Sequence, residues 1–279
     1  MSSVTISASD VNKLRQMTGA GMMDCKNALT ENNGDFDAAV DWLRKKGQKV
    51  SAKRADREVN EGVVIANLND SANAGIVMAL GCETDFVAKN DEYIAFATSI
   101  ADIALANKPV DKAALLALDY NGVSVAEAIE ERTGKIGEKI EITDYAVIEA
   151  NSVTAYNHSN GKVSVLVGMN KTGEAVEAAG RDVAMQIAAM NPIAIDKDAV
   201  PEDVKQRELQ VGMDQAREEG KPEQILEKIA NGKLEAYFKD NTLLNQKFVK
   251  DPSKNIKSFL SEIDKDLTVT AFKRIGLGA

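Results

Sequence analysis

The sequence predicts an α+β fold: a small helical module, a duplicated core of antiparallel sheets with flanking helices, and a projecting helical hairpin. Three observations carry this reading. The first 50 residues read as short segments with apolar residues at helical spacing. The middle of the chain runs twice through strand, polar turn, strand and helix. Residues 200–250 then return to helices with narrow apolar lines flanked by charge.

The N-terminal module, expected over residues 1–50, holds three short helices. In "SDVNKLRQMT" (9–18), Val11, Leu14 and Met17 share a face, with Ser9 or Asp10 as the cap. Gly19 and Gly21 allow a tight turn, and Met22 to Glu31 restarts the helix. In "DFDAAVDWLRKKG", Phe36, Ala39, Val40 and Leu43 stand at i, i+3, i+4 and i+7, and Gly47 sits where a helix C′ residue is expected. The polar, basic stretch that follows reads as a linker, set at 51–60.

The core divides into a first subdomain over 61–144 and a second over 145–279. In the first, "EGVVIANLNDSANAGIVMALGCETDFV" gives two strands around a polar turn, and the helix after it ends at Pro109. In the second, "YAVIEANSVTAYNHSNGKVSVLVGMN" repeats the pattern, with a helix ended by Pro192. Between them, "GKIGEKI" (134–140) matches no phosphate-binding glycine pattern and reads as a capped turn. Pro201 and Pro222 each suit a first helical turn, and "EEGKPE" (218–223) separates two helices. Leu209, Met213 and Ala216 line the first; Leu226, Ala230, Leu234 and Tyr237 line the second. This hairpin is expected at about 200–245, inserted in the second subdomain, with a short C-terminal segment at 265–279.

Charge and residue supply narrow the function. A net charge of −9 supplies no basic face for phosphates, so no direct nucleic-acid partner is expected. No apolar run approaches the roughly 18 residues of a membrane span, and the start "MSSVTISASD" reads as no signal peptide. A cytoplasmic protein with reduced thiols is expected, with no membrane partner. Cys25 and Cys82 are too far apart for a metal pattern and read as buried hydrophobes. With a single histidine, His158, in a polar turn, no histidine metal cluster can assemble. No catalytic residues, cofactor or metal are therefore expected, and the chain is not read as an enzyme.

Two features remain. Met22 and Met23 follow a glycine turn, where methionines serve either an adaptable contact surface or core packing. "GCETDFVAKND" (81–91) sets Phe86 beside Asp85 where a buried strand ends. Either Thr84 or Asp85 caps a helical turn that Phe86 staples to the core, or the turn is a probe for something else.

Several motifs resemble one family. "VNKLRQMTGAGMMDCKNALTENNGDFDAAVDWLRKKG" (11–47) is similar to the N-terminal module of bacterial elongation factor Ts, a three-helix unit related to ubiquitin-associated domains. "TDFVAKND" (84–91) resembles that family's second signature. "QKFVKDPSKNIKSFL" (246–260) and "VTAFKRIGLG" (269–278) resemble its later segments, in the same order. The resemblance implies a guanine-nucleotide exchange factor for elongation factor Tu, binding its GDP and nucleotide-free forms. It implies that Thr84, Asp85, Phe86 and Val87 enter the GTPase near its magnesium ion. It also implies that Arg15, Met22, Met23 and His158 contact the partner. The alternative class is a binding module that holds a GTPase without exchanging its nucleotide.

Overall fold

The computed structural model describes residues 5–278. Ser7 and Asp10 form a capping box that starts α1 (Ala8–Thr18), earlier than Ser9 or Asp10 would. Helix α2 spans Met22–Glu31, and Asp35 caps α3 (Phe36–Lys53) by accepting the Ala38 amide at 3.0 Å. Val11, Leu14, Cys25, Ala28, Leu29 and Ala39 form the small core of these helices. Met17 does not join them: on the last turn of α1 it is 58% exposed. The Lys46 ammonium stands 5.7 Å from the centre of the Trp42 ring and also pairs with Asp24.

Next come β1 (Glu61–Leu68), β2 (Ala74–Cys82), the one-turn α4 (Asp85–Ala88) and α5 (Asp91–Asn107). Helix α6 (Lys112–Leu116) and the hairpin β3 (Asp119–Tyr120) and β4 (Val123–Ser124) lead into α7 (Val125–Ile136) and β5 (Glu141–Glu149). The second half holds β6 (Ser152–Asn157), β7 (Val163–Met169), α8 (Glu174–Met190), α9 (Glu202–Glu218) and α10 (Glu223–Asn241). It ends with β8 (Lys247–Phe248), β9 (Asp251–Asn255), α11 (Ile256–Ile263) and β10 (Val269–Gly276).

The duplication read from the sequence reappears in the sheets. One has the order β1-β2-β5 and the other β10-β7-β6, so the second strand of each hairpin is central. Strand β7 pairs antiparallel with both neighbours, Asn157 opposite Ser164 and Gly276 opposite Val163. Helix α8 lays Val176, Ala179, Val183 and Ile187 on Val165, Val167 and Met169 of β7.

The chain forms two compact units. The first takes the described residues of Met1–Ile65, Met78–Tyr145 and Leu277–Ala279; the second takes Ala66–Val77 and Ala146–Gly276. Residues 66–77, expected in the first subdomain, therefore belong to the second unit. Polar bonds join the segment to that unit: the Asn157 amide bonds both backbone groups of Ala66, at 2.8 and 2.9 Å, and the Ala150 amide donates to the Asn73 carbonyl at 3.0 Å. Two expectations about α3 also change. The helix runs past Gly47 to Lys53, so the segment expected as linker begins as helix. Gly47 is no C-cap; it is buried against α7, where a Cβ on Gly134 would lie 2.3 Å from the Gly47 Cα.

In the second unit, α9 and α10 pair closely, with Gly212 and Ala216 of α9 buried and Gly212 seated against Ala230. Leu226, Ala230, Leu234 and Phe238 are buried on α10. Tyr237, expected on that line, is half-buried, and its neighbour Phe238 takes the inward place.

Candidate partner-contact site

Strand β2 is buried along its whole length, so the chain that leaves it starts from a fixed point. The Tyr93 hydroxyl donates to the Leu80 carbonyl at 2.7 Å, tying α5 to the end of that strand. The Cys82 thiol donates to the Thr84 carbonyl at 3.2 Å, and burial pushes its pKa up to about 11. A thiol held protonated this firmly is no nucleophile at neutral pH. Burial likewise raises the Cys25 thiol.

Two carboxylates secure the turn that follows. Glu83 receives both contacts from the Arg54 guanidinium, at 2.7 and 2.9 Å, and the Lys139 amide at 2.6 Å. Burial pushes the Glu83 carboxyl up, but the Lys139 amide and Arg54 outweigh it and hold it below the usual carboxylate range. Glu138 accepts the Thr84 amide at 3.0 Å and the Thr84 hydroxyl at 2.7 Å. Thr84 caps α4 by accepting the Val87 amide at 3.4 Å.

Of the two readings of this turn, the cap is present and the staple is not. Phe86 is 83% exposed, while Val87 is half-buried and Ala88 buried. Asp85, at the first position of α4, where the helix dipole favours an anion, takes the Lys89 ammonium at 2.7 Å. That contact raises the Lys89 pKa. Asn90 then caps α5 by accepting the Glu92 and Tyr93 amides at 2.9 and 3.2 Å. A large aromatic thus stands in water on backbone that is held from both sides.

The other expected residues of the first unit gather at the α1–α2 turn. Met22 and Met23 open α2 at 55% and 64% exposure, and Arg15 is exposed on the last turn of α1. Met17 joins them as a third exposed methionine that helical spacing had assigned to the core. Behind them lies a cleft of about 190 Å³ lined by Met17, Ala20, Val40 and Leu43. Helix α7 connects both places. Its Lys135 runs against Gly19 of the α1–α2 turn, its Glu131 meets Arg44 of α3 at 3.0 Å, and its C-terminal end leads into Glu138. His158 lies in the second unit, exposed, its Nδ1 sharing a hydrogen bond with the Tyr156 hydroxyl at 2.8 Å.

The profile of the family described as Elongation factor TS matches residues 83–279. The chain is 51% identical over 277 residues to elongation factor Ts of Amoebophilus asiaticus, covering 99% of this chain and all of that one. It is 52% identical over 275 residues to that of Cytophaga hutchinsonii, covering 98% and 99%. It is 49% identical over 273 residues to that of Christiangramia forsetii, again covering 98% and 99%. The chain belongs to the elongation factor Ts family. Membership makes it a factor of translation elongation, and the α+β architecture with its duplicated sheets agrees with the resemblance read from the motifs. No helix among the described residues is long and apolar enough to cross a membrane, and no group of three potential metal ligands occurs among them.

What elongation factor Ts motifs alone left unread is how the turn 84–87 is held. Glu138 lies 54 residues from Thr84, and Arg54 lies 29 from Glu83. Neither pairing has a local sequence signal.

Proposed function

We propose that this protein is the guanine-nucleotide exchange factor for elongation factor Tu and that the turn 84–87 is its working tip. The observation that carries the reading is a fully presented Phe86 on an anchored one-turn helix. Burying this ring in a partner contributes roughly 1.5–3 kcal/mol, which helps to part packed elements of the GTPase. Asp85 brings a carboxylate to the neighbourhood of the bound Mg²⁺. Magnesium demands near-ideal octahedral coordination and keeps several waters, so an intruding carboxylate disturbs its shell. Loss of the metal uncovers phosphate charge, GDP leaves, and GTP takes the empty site. No covalent bond changes, so no catalytic pocket is required of this chain. Arg15, Met22 and Met23 serve as a second contact with the same partner, where exposed methionines adapt to an apolar surface. His158 serves as a contact from the second unit.

The test is stopped-flow release of fluorescent GDP from elongation factor Tu with and without this chain. Phe86→Ala is expected to slow stimulated release about tenfold, in line with the lost apolar burial, while leaving the fold intact because the ring is exposed. Wild-type stimulation by that variant would remove the proposed role. A wild-type chain that binds the GTPase equally well with and without GDP would favour the plain binding module instead.

A further inference from the structure

We propose that Glu138 is a positioning residue for exchange: it grips Thr84 and thereby sets where Asp85 and Phe86 stand. The inference rests on the tip reading above and deepens it. Phe86, being 83% exposed, has little packing of its own to orient it. Its direction is inherited from the cap two residues earlier. The cap's own bond, from the Val87 amide to the Thr84 hydroxyl oxygen, is long at 3.4 Å and weak. The bonds from the Thr84 amide and hydroxyl to the Glu138 carboxylate, at 3.0 and 2.7 Å, are charge-assisted and shorter, so they dominate.

Glu138 is itself delivered with little freedom. Gly137 ends α7 in the left-handed region at φ 81°, its amide donating to the Thr133 carbonyl at 2.8 Å, and this turn carries the chain out of the helix. Beyond Glu138, the Lys139 amide is fixed on Glu83 at 2.6 Å and the Ile140 amide on the buried Thr133 hydroxyl at 3.2 Å. Glu138 is therefore held on both sides along the chain, and its carboxylate closes the link to the tip.

The test compares Glu138→Ala and Glu138→Gln in the same GDP-release assay, over a range of exchange-factor concentrations. Glu138→Ala, which removes both bonds to Thr84, is expected to lower the maximal release rate about 3- to 10-fold at this partly exposed site. The half-saturating concentration should move by less than about twofold, because the contact surface remains. Glu138→Gln should recover most of the rate: its amide oxygen still accepts the Thr84 amide, and the Thr84 hydroxyl can turn to accept from the new NH₂. A merely structural role would not give this rescue. Should Glu138→Ala fail to fold by circular dichroism, Thr84→Val, which loses the hydroxyl bond to Glu138 along with the weak 3.4 Å cap, must show the slowed maximal rate in its place. The double variant with Phe86→Ala should lose less than the product of the two single losses, because part of the effect of Glu138 passes through Phe86 and the remainder through Asp85. Wild-type speed in the folded Glu138→Ala, or Gln as slow as Ala, overturns the inference. Phe86→Ala at wild-type speed would instead bring down the tip reading on which it rests.

Discussion

Phe86 and Glu83 divide the labour of one turn: the first is offered to solvent, and the second ties the turn down. Because the folded state holds the Glu83 carboxyl below its ordinary range, its contribution to stability is present above the unfolded carboxylate pKa of about 4.3. It is lost as pH falls through the lower, folded value. Glu83→Gln removes that linkage. Its melting temperature is expected to fall less steeply than wild type's between about pH 5 and pH 3, as read by circular dichroism melts. An unchanged slope would show that the Glu83 carboxylate, with its Lys139 and Arg54 partners, carries none of the acid sensitivity. At this scale the sequence was half legible. Thr84 was readable as a cap because capping chemistry is local, whereas the exposure of Phe86 depends on what the fold leaves uncovered. Spacing misled at Met17 for the same reason: i+3 from Leu14 predicts the inward face, but α1 ends one residue later.

Among the elements, α7 carries the arrangement. It packs on α3 through a glycine pair, runs Lys135 against the α1–α2 turn and leads into Glu138, which bonds Thr84 of the turn 84–87. Gly134→Ala would place a methyl 2.3 Å from the Gly47 Cα, a backbone atom that cannot yield without moving a helix. The expected cost is about 1–3 kcal/mol, seen as a lower denaturant midpoint at unchanged slope. Gly232 provides the contrast. It lies within α10 with nothing within 4 Å of an added Cβ, so Gly232→Ala should stabilise by about 0.5–1 kcal/mol. Equal effects from the two substitutions would show that helix propensity, not close approach, governs both. The helices themselves were legible from period and caps. The role of Gly47 was not, because a glycine beside lysines reads as a terminus until its neighbour across the helix pair is known.

For the whole molecule, exchange is a statement about linkage. If the chain weakens GDP binding to elongation factor Tu by some factor, GDP must weaken the chain's own binding by that same factor. Titration calorimetry of the GTPase with and without GDP is expected to return matching ratios for the two ligands, and a mismatch would mean that the thermodynamic cycle contains a further state. The duplicated sheets were legible because each copy repeats one order of elements. The membership of residues 66–77 was not, since the contacts that join them to the second unit, such as Asn157 bonding the backbone of Ala66, lie about 91 residues away in sequence.

The lone indole of the chain, Trp42, sits in α3 with a lysine ammonium near its ring. Intrinsic fluorescence excited selectively at tryptophan therefore comes only from the three-helix bundle. Without any label, that signal follows melting or docking of the bundle while the rest of the protein stays optically silent.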